Sequence, residues 1–195
     1  MTIRIESSAD VDERAEIGDG SSIWHLAQVR EDARLGEDCV VGRGAYVGPG
    51  VEVGVGAKIQ NYAQVHDPAR LGDGVFIGPG AVLTNDVRPR AVSAAGAPKD
   101  REGWDPTGVE VGDGASIGAQ AVIVAGVRVG AWALVGAGAV VVRDVPDHAL
   151  VVGNPAEQRG WVGRAGVRLE PAGDGWECPQ TGERYVEGDT GLVLK

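Results

Sequence analysis

The sequence predicts an all-β protein: a parallel β-helix of six-residue repeats, with one long extruded loop and a C-terminal hairpin tail. Three observations carry that expectation. An aliphatic residue recurs every six positions, a small residue follows each of them four places later, and the beat is interrupted once, after Leu83. A helix needs apolar spacings of three and four, and an ordinary half-buried strand needs two. A spacing of six sustained over such a length fits short flat strands joined by tight corners and stacked as a solenoid.

The register runs Val11, Ile17, Ile23, Val29, Leu35, Val41, Val47, Val53, Ile59, Val65, Leu71, Ile77, Leu83. It resumes as Val111, Ile117, Ile123, Val129, Val135 and Val141. The small positions run from Ala15 through Ala81 to Val87, and from Ala115 to Val145. One aliphatic side chain per repeat points inward with a small one beside it. Stacked coils about 4.8 Å apart pair their backbones with the coils above and below. Glycine often follows the aliphatic, as at Gly18, Gly36, Gly42, Gly48, Gly54, Gly72 and Gly78, where it is expected to permit the backbone angles of the corner. Cys39 falls on an inward small position, so its thiol is expected to be buried, neutral and inert.

The 195 residues suffice for one elongated repeat unit, residues 1–156, and a connector and hairpin tail, residues 157–195. Aromatic residues make up only 5%, which leaves the core to small and aliphatic side chains. A formal charge of -10 argues against nucleic acid or an anionic membrane as partner and favours solubility. The first six residues hold no apolar run of signal-peptide length, and no stretch approaches the ~20 apolar residues of a membrane span. Two cysteines are too few for a disulfide framework. A cytoplasmic protein is the resulting expectation. His25, His66 and His148 lack the spacing of a clustered zinc site, so no metal is expected.

Pro146 and Pro155 are expected to end the ladder pairing. Residues 159–167 read as a short connector with a helical turn, and residues 176–185 as a hairpin turned at Gly182. Cys178-Pro179 matches half of a zinc ribbon, but the second cysteine pair is absent, which leaves a packing hairpin. At the break, Leu83 and Val111 are 28 positions apart, which is not a multiple of six, so residues of about 86–107 must loop out. This loop carries Arg88, Arg90, Lys99 and Arg101 in an otherwise acidic chain, together with Trp104 and three prolines. Long loops in compact scaffolds are usually functional or disordered, and a basic cluster suits a phosphate-bearing ligand. One full turn of three repeats stacks His25, Arg43 and Asn61 in one corner column and Asp67 with Asn85 in another. Either column lines a ligand site or serves corner hydrogen bonding.

These motifs resemble a family. The segment from Val135 to Val141, with Pro146 and Gly153-Asn154-Pro155-Ala156, resembles the CoA end of the left-handed parallel β-helix acyltransferases. More specifically, Ile23-Trp24-His25, Ile59-Gln60-Asn61, Thr84-Asn85, Pro89-Arg90, Gly160-Trp161 and the tail from Cys178 to Tyr185 are similar to one branch of that family. Its members N-acetylate the 3-amino group of nucleotide-linked sugars, notably UDP-2-acetamido-3-amino-2,3-dideoxy-glucuronate, for surface polysaccharide. The resemblance implies left-handed winding, acetyl-CoA as co-substrate, a nucleotide amino sugar as acceptor, and a homotrimer with sites between subunits. It implies that Asn85 holds the sugar near the thioester, since an amide is no general base. Asn61, Asp67 and Arg90 become substrate candidates, Arg90 for a diphosphate or a sugar carboxylate. Gly118, Ala119, Ala137, Arg143 and Arg159 become CoA candidates. Two positions depart from the pattern: Glu157, where many members carry a basic residue, and Gln120, where relatives often carry asparagine. No histidine lies between Ile77 and Ile123. Asn85 is therefore expected to have no histidine nearby, which favours an amine acceptor over an alcohol. A dTDP-3-amino-6-deoxy sugar as acceptor, and a non-catalytic β-helix assembly module, are the alternatives.

Overall fold

Each six-residue repeat folds into a two-residue strand and a corner, as in Ser22–Ile23, Gln28–Val29 and Arg34–Leu35. Three repeats close one coil, so Arg4 pairs with Ser22 and Ser22 with Val40 in parallel register. The computed structural model, which describes residues 2–99 and 104–195, is thus a β-helix with three flat faces. Face A runs from Arg4–Ile5 to Ala149–Val152, face B from Asp10–Val11 to Val140–Val141, and face C from Glu16–Ile17 to Arg128–Val129. The aliphatic register fills the interior: Ile23, Val41, Ile59, Ile77, Ile117 and Val135 stack with almost no exposure. Val11, Ala15 and Ile17 are only half buried, because no coil covers the core from below. Cys39 is buried as expected, and desolvation pushes its thiol up from the ordinary range.

The glycines that follow the aliphatics are required for a different reason from the one expected. Gly18, Gly36, Gly54 and Gly78 do not have positive φ. A Cβ on Gly18 would stand 2.4 Å from the Gly36 carbonyl carbon, and one on Gly78 2.5 Å from the Ala119 nitrogen. What these positions need is room for the next coil's backbone. The left-handed conformation falls two residues later, on Gly20, Gly44 and Gly80, and also on Leu26, Tyr62, Gln120 and Trp132.

At the break, Leu71 pairs with Val111 and Leu83 with Ile123, forty residues on instead of eighteen, so twenty-two residues leave the coil. Val87, expected to point inward, is 56% exposed. The chain has already left the coil there, and Val109, twenty-two places later, fills the buried small position. Outside, residues 91–99 form a small hairpin closed by Lys99 N to Ala91 O at 3.0 Å. Arg101 lies outside the described residues.

Face C presents charge outward. Glu16, Arg34, Glu52, Arg70, Glu110 and Arg128 stand on successive strands with alternating sign, with Arg34–Glu16 and Arg70–Glu52 pairs at 3.7 Å.

Pro146 does not end the pairing. Val145 bridges Val129, and Ala149–Val152 continues face A in parallel with Leu134–Val135. The parallel ladder stops at Gly153, φ 100°, and the chain returns antiparallel as Glu157–Trp161. The helical turn expected in residues 159–167 is therefore replaced at its start by strand, which satisfies backbone groups that Ala149–Val152 would otherwise leave as an open edge. Beyond it, Glu170–Ala172, Gly175–Glu177, Arg184–Glu187 and Leu192–Leu194 form a four-stranded antiparallel sheet. The hairpin between the middle two strands turns at Gly182, φ 73°, as expected. Cys178 is buried there with Leu169, Tyr185 and Leu192. Among the described residues no helix is long and apolar enough to cross a membrane.

Candidate active site

The corner between faces B and C, where the chain leaves the coil, gathers the polar groups. Asn85 stands directly above Asp67, and its Nδ2 donates to Asp67 Oδ1 at a long 3.4 Å. Both are half buried. Thr84 fastens this lip to the coil above: its hydroxyl accepts from Ala125 N at 2.9 Å and donates to Ile123 O at 3.3 Å. The Asn85 carbonyl accepts from Thr107 N at 2.9 Å, which closes the base of the extruded loop. Asn85 is thus held from both sides of the break, by its side chain to Asp67 and by its backbone carbonyl to Thr107.

His66 corrects the expectation that Asn85 has no histidine nearby. Its backbone N–H donates to Leu83 O, so His66 lies one coil beneath Thr84 and next in the chain to Asp67. The eighteen-residue coil brings together residues that a scan confined to 77–123 keeps apart. Desolvation holds the imidazole below its ordinary value, against the opposing pull of Asp67. The neutral form therefore dominates near pH 7. The ring packs against Tyr46 with centroids 5.2 Å apart, and Nε2 lies 3.3 Å from Gln64 Oε1. Below, Arg30 donates to Glu31 at 2.8 Å, and burial pushes the Tyr46 phenol up. Tyr46, Arg30 and Glu31 also escaped the sequence reading; counting back eighteen from Gln64 and His66 would have found Tyr46 and the column leading to Arg30.

The other candidates divide between two corners. Asn61 lies on the corner between faces A and B, in one column with Pro79, Ala119 and Ala137 through Gly80 N to Asn61 O, Gln120 N to Pro79 O and Gly138 N to Ala119 O. Gly118 adjoins that column. Its side chains are small, leaving a smooth ridge where an extended ligand can approach the backbone. Lower down, Asn61 Oδ1 accepts from Arg43 N at 2.9 Å, which is corner hydrogen bonding, while His25 contacts Ser8 at 2.9 Å and Glu6 at 3.3 Å. Arg143 belongs to the same B–C corner as Asn85, and Arg90 sits exposed on the loop with Nη1 donating to Pro89 O at 2.8 Å. Arg159 lies apart, on the strand after the last coil, bonded to Glu157 at 2.8 Å. Glu157, a position that departs from the family pattern, thus pairs with one of the two arginines among the CoA candidates. The three histidines occupy three different corners, so within one chain they do not converge on a metal.

Within one chain, then, the small-residue ridge and the Asp67–Asn85 lip are separated by the width of face B. Its outward side chains change from Gln28, Tyr46 and Gln64 low down to Val82, Val122 and Val140 near the top.

The family model for the bacterial transferase hexapeptide (six repeats) matches residues 14–49 and 50–85, and that for the hexapeptide repeat of succinyl-transferase matches residues 108–143. The two leave out the extruded loop. A dTDP-3-amino-3,6-dideoxy-alpha-D-galactopyranose 3-N-acetyltransferase of Aneurinibacillus thermoaerophilus is 40% identical over 80 residues, 41% of this chain and 41% of that protein. PerB of Caulobacter crescentus, solved with CoA and GDP-perosamine, is 29% identical, with a TM-score of 0.52 over 82% of this chain and 58% of that one. The acetyltransferase domain of PglB from Neisseria gonorrhoeae, solved with acetyl coenzyme A, is 27% identical, with a TM-score of 0.50 over 80% of this chain and 57% of that one. The chain thus spans less than two thirds of the length of each of these relatives. The repeat, the three-faced coil and the matched segments agree, and the chain belongs to the hexapeptide-repeat family of bacterial transferases.

Proposed function

We propose that the protein is an acetyl-CoA-dependent N-acetyltransferase acting on the 3-amino group of a nucleotide-linked amino sugar, of the UDP-diaminoglucuronate type, in surface polysaccharide synthesis. The observation that carries this reading is the Asp67–Asn85 pair, placed at the one opening in the coil with a neutral histidine in the adjoining column. Acetyl transfer to an amine needs a deprotonated nucleophile, close approach to the thioester and a place for the displaced proton. His66, neutral near pH 7, takes the proton from the acceptor ammonium. Asp67 and Asn85 orient the freed amine, whose lone pair attacks the thioester carbonyl. The tetrahedral intermediate then collapses: its nitrogen gives up a second proton to the departing sulfur, the carbon–sulfur bond breaks, and CoA leaves as its thiol.

The smooth ridge of Gly118, Ala119 and Ala137 is the proposed seat of acetyl-CoA, with Arg143 and Arg159 towards its phosphates. Arg90 is the proposed loop contact to the acceptor, and Asn61 a further acceptor contact at the ridge. The split of these residues across face B supports a homotrimer in which neighbouring subunits complete each site, and the valines high on face B supply an apolar surface for that packing.

A dTDP-3-amino-6-deoxy-hexose is the second reading of the acceptor. It is favoured by the named activity of the Aneurinibacillus relative. A thiol-release assay with acetyl-CoA and a panel of UDP- and dTDP-linked 3-amino sugars tests both. We expect turnover with at least one sugar, reduced about a hundredfold or more in Asn85→Ala with unchanged circular dichroism. Absence of turnover with every amino sugar sinks the reading in favour of a non-catalytic assembly module, and full turnover in a folded Asn85→Ala removes that residue from the site.

A further inference from the structure

Around the corner from Asn85, on the face C side, lies a recess of about 470 Å³ that none of the candidate residues above lines. Its walls are Pro68, Pro106, Gly108, Gly126 and Val127, and at its rim stand Arg70, Glu110 and Arg128 on three successive strands. The volume lies within the roughly 300–1,000 Å³ of small-molecule sites, and mostly apolar walls with a few convergent polar groups are the usual lining of such sites. Two contacts tie the recess to the proposed chemistry. Pro68 follows Asp67 directly, and Thr107, also in the wall, donates its N–H to the Asn85 carbonyl. The longer trough of about 950 Å³ down face C has the same charge alternation, but the Asp67–Asn85 lip adjoins the recess through those two residues.

We propose that this recess binds the nucleoside diphosphate half of the acceptor, with Arg128 and Arg70 on the phosphates, Glu110 on the ribose hydroxyls, and Pro68, Pro106 and Val127 against the base. The inference rests on the nucleotide-sugar reading. Guanidinium groups suit phosphate oxygens because their donors are planar and permanently charged, and a carboxylate accepts from both vicinal hydroxyls of the uridine ribose or from the single 3′-hydroxyl of a thymidine deoxyribose. Adjacent strands are about 4.8 Å apart, so Arg70 and Arg128 leave the backbone roughly 10 Å from each other, a span that two long side chains can close on a diphosphate while Glu110 reaches the sugar beside it. The glycosyl group then crosses the corner, and its amine arrives at Asp67 and Asn85. Acceptor and donor approach the lip from opposite sides: the acceptor from face C, and acetyl-CoA from the face B side.

CoA also carries a nucleoside diphosphate, so the test separates the two sources. Calorimetry with UDP, dTDP and CoA is run on the wild type, Arg128→Ala, Arg128→Lys and, as a control lower on the same ladder, Arg34→Ala. Losing a charge-assisted contact weakens binding by about tenfold to a hundredfold. The expected result is that loss for UDP or dTDP in Arg128→Ala, partial recovery in Arg128→Lys, and no change in Arg34→Ala or in CoA binding. Four outcomes overturn the proposal: unchanged nucleotide affinity in folded Arg128→Ala, an equal loss in Arg34→Ala, a loss that falls on CoA, or no binding of either nucleotide to the wild type. Turnover in the thiol-release assay reads the acetyltransferase function separately, so a misplaced nucleotide site and a mistaken activity give different results.

Discussion

At His66, desolvation and the neighbouring carboxylate of Asp67 pull in opposite directions, and desolvation is the larger. The imidazole therefore stays neutral to a lower pH than the free side chain, whose ordinary value is about 6.5. If His66 removes the acceptor's proton, kcat/KM falls on the acid side as His66 becomes protonated, with a midpoint below about 6.5. In His66→Gln the rate falls by roughly 10²–10⁴, the usual contribution of a positioned base, and that acid limb disappears. A merely structural histidine would leave the shape of the pH profile unchanged. The residue was visible in the sequence but not in the right place, because its relation to Asn85 exists only through the coil period. The corner glycines show a similar division. The sequence marks where they fall, while the 2.4–2.5 Å approaches that forbid a Cβ at Gly18 and Gly78 belong to the stacking of coils.

Among the elements, face C has the most regular surface. Arg34 sits between Glu16 and Glu52 on neighbouring strands. Opposite charges directly across strands contribute roughly 0.2–1 kcal/mol each, and like charges are destabilising. Arg34→Glu turns both neighbours into like pairs and should lower stability by about 1 kcal/mol at low salt. The loss should shrink as salt shortens the screening length to about 3 Å near 1 M. Urea midpoints at two ionic strengths measure this; a loss that does not respond to salt means that Arg34 acts through packing. The strands of this face were legible from the six-residue beat, because one aliphatic per repeat dictates which side faces in. The strand after the last coil was not. Glu157–Trp161 has no such beat, and only the open edge of Ala149–Val152 explains why it is extended. The extruded loop was legible as an interruption, but the exit of the chain before Val87 and the replacement by Val109 depend on where the next coil closes.

On the scale of the whole molecule, the β-helix and the tail sheet are joined at Asp147 and His148. Asp147 accepts from Ala131 N at 2.7 Å on the coil side; on the tail side its N–H donates to Thr190 O at 3.0 Å and its carbonyl accepts from Leu192 N at 3.2 Å. His148 is buried, its Nδ1 donates to Val162 O at 2.8 Å, and its ring meets Tyr185 edge-on at 4.9 Å. Tyr185 in turn donates to Glu183 at 2.9 Å and accepts from Arg164 N at 3.0 Å. Desolvation lowers the His148 pKa, opposed by its bond to Val162 and by Asp147 and Glu183, and reinforced by Arg164. The unfolded chain therefore takes up the proton first as pH falls. The stabilisation from neutral His148 is complete above about pH 6.5 and declines below it, by at most about 1.4 kcal/mol per pH unit, until the folded imidazole protonates as well. His148→Asn keeps a side chain tolerant of the left-handed backbone at this position, φ 62°, but has nothing to titrate. Urea midpoints between pH 7.5 and 5.5 should fall more steeply for the wild type than for His148→Asn, the remaining slope including His66. Equal slopes would mean that the join yields to water before its histidine is charged, and that the tail is held by Asp147 and the strand contacts alone.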